Sequence, residues 1–337
     1  MNIQECFKKK MDTEIYKFQK IINNWKNLLE FYYENLALNK QNKTKWLFRG
    51  DVFVHKEDSE CSMEDAFKTS LDKAFEEYGI DAESPKQDTK RNKIEKAILR
   101  SFRRRAHLHT DDKDSTQTHL ETFALLRHHG GPARILDWLY SFFSAVYFAV
   151  NRYDKNETYT VWALKNKWLN YVSEDVEDKF LSDKGYLKEH FNGKTKELKY
   201  RRKYQNNQFQ SYVVTYLVNK NAKSLIYAAN PYHLNERLAV QKGVLLFSGT
   251  VEKTWGENLQ DIINNPPKNK GGKNIQVEGP ILWEISIKLS KDCRNEFIRR
   301  LDEMNINQAT LFPDLDGFAE SLRTRIAHPE SLGVEDS

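Results

Sequence analysis

The sequence predicts an α+β fold: a single mixed domain with a small central sheet flanked by helices, preceded by an N-terminal amphipathic helix. Strand-like runs (TYTVWAL at 158–164, SLIYAA at 224–229, GVLLFSG at 243–249, PILWEISIKL at 280–289) are interspersed with segments whose apolar residues recur at three and four. The 337 residues are 39% hydrophobic and 12% aromatic, enough to bury a core even with 30% charged residues. No repeat of fixed period and no two-domain boundary is visible.

From Phe18 the residues Ile21, Ile22, Trp25, Leu28, Leu29 and Tyr32 trace one face of a helix. KWLFRGD, 45–51, reads as a short aromatic strand closed by Gly50 and Asp51. Phe67, Leu71, Phe75 and Tyr78 mark a helix from about Met63 to Tyr78, stopped by Gly79. Residues 91–107 form a helix with Ile94, Ala97, Ile98 and Phe102 inward and its arginines outward. THLETFALLRHHG is a further helix; Gly130 and Gly131 permit a positive-φ ending and Pro132 forbids continuation. Residues 139–150 are too continuously apolar for a strand with a wet face and are expected as a buried helix. The Lys-, Asn- and Arg-rich stretch 191–210 and the stretch 265–275 are expected as exposed loops or insertions.

Composition narrows the function classes. Cys6, Cys61 and Cys293 are isolated, which suggests neither a disulfide framework nor a zinc site. MNIQECFKKKMD lacks the apolar core of a secretory signal and no run is long enough to span a bilayer, so no membrane partner and a cytoplasmic location are expected. A net charge of +5 is weaker than that of a dedicated duplex binder. Basic residues cluster at Arg100, Arg103, Arg104 and Arg105 and again from Lys194 to Lys203. Phosphate-loop, dinucleotide-loop, HExxH, GxSxG and CxxC signatures are absent.

Chemistry must then come from scattered pieces. Arg49, emerging from a buried strand beside glycine, can lay its fork on a phosphate or carboxylate, or pair with an acid at the core edge. His128 and His129 point about 100° apart while their helix persists, so at most one serves a pocket and no metal is expected. Arg134 and Asp137 share a face on a helical turn and oppose each other in a strand. They either pair together, or Asp137 fixes Arg49 or a histidine. Arg237 and Gln241 lie four apart in a short helix before a Gly-led strand, and Asp314 and Asp316 suit a helix N-terminus.

In this order, WLFRG at 46–50, RHHGGPARILDW at 127–138 with AVYFA at 145–149, NERLAVQKGVLLF at 235–247 and LFPDLDGFAESL at 311–322 resemble the FRG domain. The resemblance spans roughly 41–325, with a basic insertion near 191–210, leaving 1–40 as a helical extension and 326–337 as a tail. The chain departs from the family pattern at Asp51, where relatives carry Gln, and at Ala133 and Leu139, where they carry Thr; Ser141 or Ser144 could replace a lost hydroxyl. The family is largely prokaryotic and phage-associated, which implies a defence or toxin-type effector.

By analogy with ADP-ribosyltransferases, the expected function is an NAD-using activity in a nucleotide-binding cleft, with no metal. Arg49 would contact the dinucleotide, and Gln241 or Glu284 would support transfer. Arg49, one of the two histidines (His128 or His129), Arg134, Asp137, Arg237 and Gln241 are expected to converge on that cleft. The competing reading is a nucleic-acid-binding module, with RNA or DNA held by Arg100, Arg103, Arg104 and Arg105, or a metal-independent ribonuclease using His128 or His129 as general base.

Overall fold

The computed structural model of the chain describes residues 16–38, 45–51, 66–109, 118–152, 158–203, 207–221, 223–230, 236–267 and 278–326. The expected mixed sheet is present and has seven strands: β1 Tyr16–Ile22, β2 Trp46–Asp51, β3 Ile135–Leu139, β4 Thr158–Lys165, β5 Ile226–Ala229, β6 Gly243–Ser248 and β7 Leu282–Lys288. Their spatial order is β1-β7-β4-β2-β3-β6-β5, with β1 parallel to β7 and every other neighbouring pair antiparallel.

Two expectations near the N-terminus and the central motif are corrected. The helix expected from Phe18 begins only at Trp25: Tyr16–Ile22 is the edge strand β1, and α1 (Trp25–Phe31) opens where the Asn24 side chain accepts the Asn27 amide. Ile22 and Trp25 are both buried across that junction, so core contact at spacing three ran through a change of structure. The run expected as a helix from 139 is split. ILDWL is β3, and helix starts at Phe142 after Ser141, whose hydroxyl accepts the Ser144 amide.

The helices α2 (Ser70–Glu77), α3 (Lys90–Ala106) and α4 (His119–His128) follow the predicted spacing, although α2 is shorter than expected and residues 63–65 lie outside the described set. Gly130 takes φ 75° at the end of α4, as a glycine there should. After α5 (Phe142–Val150) come α6 (Asn166–Ser182), α7 (Lys184–Phe191), α8 (Thr195–Lys203) and α9 (Asn207–Lys220). The stretch 191–210 is therefore largely helical, not loop: Leu198 and Phe209 are buried against Phe180 and Val213 and anchor two helices in the core. The chain closes with α10 (Glu236–Val240), α11 (Trp255–Asn264), α12 (Lys291–Glu303), α13 (Gln308–Leu311) and α14 (Leu315–Arg325). Most of the expected loop 265–275 and most of the tail fall outside the described residues.

Strand alternation divides the core by sheet face. Leu47, Leu136, Trp138, Trp162, Leu164 and Leu246 share one face with Trp255 of α11. On the other face the helices form two groups. Phe48, Val161, Ala163 and Ile285 pack with α1, α5 and α12, whereas Ile135, Leu245 and Phe247 pack with Leu99 of α3, Phe123 of α4 and Val213 of α9. The boundary between the two groups runs over the junction of β2 and β3.

Candidate ligand-binding cleft

β2 and β3 pair at one position, Phe48 with Leu139, while β2 pairs with β4 along its whole length from Trp46 to Asp51. The sheet thus opens beyond Phe48. Arg49 bridges the opening: its Nη1 donates to the main-chain oxygen of Asp137 at 3.0 Å and its Nη2 meets Asp51 Oδ2 at 3.2 Å. A side chain has replaced the next ladder bond, which explains how a charged residue sits at the end of a buried strand. The neighbouring glycine has a separate cause. A Cβ on Gly50 would overlap the Ala145 carbonyl oxygen and stand 2.7 Å from the Ala149 nitrogen, so only glycine lets α5 lie this close to β2.

That close approach hangs the C-terminal end of α5 over the opening. Together with α10, α12, α13, α14 and the end of α4 it encloses a cavity of about 1180 Å³ lined by Arg49, Asp51, Arg127, Asp137, Arg152, Arg237, Gln241, Arg294, Glu320 and Arg323, with Leu139, Phe148, Ile298 and Phe312 as its apolar wall. Six arginines face three carboxylates there, an excess of three positive charges. Each carboxylate is already engaged: Asp51 with Arg49 at 3.2 Å, Asp137 with Arg127 at 3.0 Å and Glu320 with Arg323 at 3.0 Å. Arg294 donates to the Val150 and Asn151 carbonyls at 2.7 and 2.6 Å, capping α5 where its dipole is negative.

Arg237 differs from these. Its guanidinium lies 4.2 Å above the Phe312 ring, and among the described residues no carboxylate stands within ion-pair distance. Burial lowers its pKa; Asp137 opposes that shift and Arg127 reinforces it. Asp314 also favours its charge, but neither carboxylate is an ion-pair partner, and an anion entering the cavity would offset the cost of desolvating the half-buried cation. Gln241, buried beside it, donates Nε2 to the Leu311 carbonyl at 2.9 Å, which holds its carboxamide rigid.

The structure brings Arg49, Asp137, Arg237 and Gln241 to this one cavity. Arg134 is elsewhere. It is 1% exposed, forms a two-pronged ion pair with Glu95 of α3, and donates to the Ser248 and Gly249 carbonyls. The expected Arg134–Asp137 pairing is corrected accordingly: in a strand, residues three apart point to opposite sides, and Asp137 takes Arg127 instead. Glu284 also lies off the cavity. It sits on the Arg49 side of the sheet, two strands away through Trp162, and is 1% exposed. His128 stands at the margin, half-buried, its pKa lowered first by burial and then by His129 and Arg237, with Asp314 and Asp137 opposing. His129 packs edge-on against it, ring centroids 4.8 Å apart, and neither ring lines the cavity.

Arg127, Arg152, Arg294 and Arg323 were not read from the sequence as cleft residues. Arg127 had a signal, since it immediately precedes His128–His129 in the central motif; the others lie on separate elements that only the tertiary fold assembles. Among the described residues no group of three or more His, Cys, Asp or Glu could hold a metal ion, and no helix is long and apolar enough to cross a membrane.

No curated protein and no solved structure matches the chain. A family model does match, over a narrower span than the motif resemblance: it covers β2, the central RHHGGPARILDW segment and α5, and stops before Arg237, Gln241 and Arg294. Residues 44–158, which include Arg49, Gly50, Arg127 and Asp137, match the FRG domain.

Proposed function

We propose that the cleft binds a nucleotide carrying at least two phosphates, and that the protein is an NAD-using enzyme of ADP-ribosyltransferase type. The observation that carries the binding reading is Arg237, which has no ion-pair partner among the described residues, within a cavity whose three carboxylates each pair with another arginine. The residues fit such a ligand. A volume of about 1180 Å³ exceeds the roughly 300–1,000 Å³ of ordinary small-molecule pockets, and arginine forks facing an apolar wall suit phosphates joined to a flat base.

NAD, when bound, supplies the nicotinamide–ribose bond that is broken. Arg237 and Arg49 are assigned to the pyrophosphate oxygens. Gln241, fixed by its bond to Leu311, is assigned to the ribose hydroxyls, and Phe148 and Phe312 exclude water from the base. A toxin or phage-defence role is the matching proposal for the cell, carried by the family resemblance alone.

Nicotinamide release from NAD tests the enzymatic part. The wild-type protein is expected to release it, with Gln241→Ala and Arg49→Ala each slower by about tenfold or more. A wild-type protein that binds nucleotide without releasing nicotinamide would retain the binding reading and overturn the catalytic one.

A further inference from the structure

The arginines of the two basic runs differ in their partners. In α8 both are paired: Arg201 with Glu197 at 2.9 Å, and Arg202 with Glu177 at 2.7 Å and Asp178 at 2.5 Å. On α3 the outward face is cationic throughout. Lys93, Arg100, Arg103, Arg104 and Arg105 are all exposed, and among the described residues no carboxylate lies within ion-pair distance of Lys93, Arg100, Arg104 or Arg105. The helix carries one acid, Glu95, which is 1% exposed and committed to Arg134. Lys96 is the exception on this face, pairing with Asp88 at 3.0 Å.

Placing like charges three and four residues apart destabilises a helix, by roughly 0.2–0.5 kcal/mol per pair. The helix dipole offsets this only near the C-terminal end, at Arg103, Arg104 and Arg105. Lys93, Arg100 and Arg104 follow one stripe. At about 1.5 Å per residue they span about 16 Å, the rise of about five nucleotides at about 3.4 Å each.

We propose that this face of α3 is a docking surface for the phosphodiester backbone of a nucleic acid. A lipid surface fits less well, because Ile98, Leu99 and Phe102 of α3 pack into the core and Leu108, just past its end, is a single exposed apolar side chain rather than an apolar face. A row of exposed cations contacts the phosphate backbone, so binding is expected to be steeply dependent on salt and weakly dependent on sequence. The surface is separate from the cleft. Arg103 acts on His119 at the start of α4, whereas Arg127 enters the cleft from its end, a helix of 10 residues or about 15 Å away. The proposal does not depend on the nucleotide reading of the cleft.

The test is fluorescence anisotropy of the full chain with a 20-nucleotide single-stranded RNA, a DNA duplex of equal length, and anionic phosphatidylserine vesicles, between about 50 and 200 mM salt. Binding to RNA, DNA or both is expected, with a log–log salt slope of about −3 to −4 for four contacts. Arg100→Gln with Arg104→Gln should weaken it by about tenfold or more at low salt and reduce the slope by about two, with thermal stability unchanged. Arg201→Gln and Arg237→Gln should have no effect, the latter separating this surface from the cleft. Preference for RNA or for DNA identifies the source of the phosphates. No oligonucleotide binding, binding to vesicles only, or binding undiminished by the double substitution overturns the proposal.

Discussion

Arg134 and Arg237 are both arginines taken out of water, and they end in opposite conditions. Arg134 has its Nε and both terminal nitrogens engaged, by Glu95 and two carbonyls, and is 1% exposed. Arg237 lies on a phenyl ring facing a cavity, with no carboxylate partner among the described residues. Through Arg134 the RHHGGPARILDW segment ties α3 to the sheet, and through Asp137 it lines the cavity that Arg237 also lines. The two differ in whether the protein itself supplies an ion-pair partner: Arg134 has one in Glu95, and Arg237 has none among the described residues.

The largest expected effect breaks the structural side. Arg134→Met leaves Glu95 buried and unpaired and should cost about 3–5 kcal/mol in chemical denaturation, whereas Arg134→Met with Glu95→Leu should recover much of that loss. If the single and double variants are equally unstable, the pair is not the clamp described. Next is Gly50→Ala, which forces α5 away from β2 and should cost about 1–3 kcal/mol while also disturbing ligand binding, because α5 roofs the cleft. A variant with wild-type melting would show that the close approach is not needed.

Smaller effects sharpen the cleft side. Asp137→Asn releases Arg127 from its partner and should tighten anion binding by about 1 kcal/mol, or about fivefold, with a steeper salt dependence. Unchanged or weakened binding would place Arg127 outside the ligand's reach. The two histidines of α4 extend the contrast, since His119 lies on the Arg134 side and His128 on the Asp137 side. His119 is pushed down from 6.5 to about 4 by burial first, then by Arg103, Arg134 and Lys96. Its folded pKa is below its unfolded one, so its contribution is complete above 6.5 and is lost as pH falls toward about 4. His119→Gln should therefore flatten the acid loss of stability in that window, and an identical pH profile would contradict it.

Much of this arrangement was legible in the sequence. Five strands declare themselves by β-branched and aromatic runs, and Arg49, Asp137, Arg237 and Gln241 stand out by residue type and position and do line the cavity. β3 was missed because five apolar-rich residues lead directly into the apolar helix α5, which erases alternation as a signal. β1 was missed because core contact at spacing three continued from Ile22 to Trp25 across the Asn24 cap. Arg134 was misassigned for the same reason as β3: without the strand, its side could not be told from that of Asp137. Glu284 was chosen by analogy with a late carboxylate, and a residue's order along the chain carries no information about whether it reaches a cleft.

Titration calorimetry of wild-type protein and Arg237→Gln with NAD and with inorganic pyrophosphate is the most direct test of the cleft. Saturable binding of both ligands by the wild type is predicted, weakened about tenfold or more by Arg237→Gln, while the variant melts at or slightly above the wild-type temperature because a partly desolvated charge has gone. Equal affinity in the two proteins, or no saturable binding by the wild type, would contradict the assignment of Arg237 as the anion anchor.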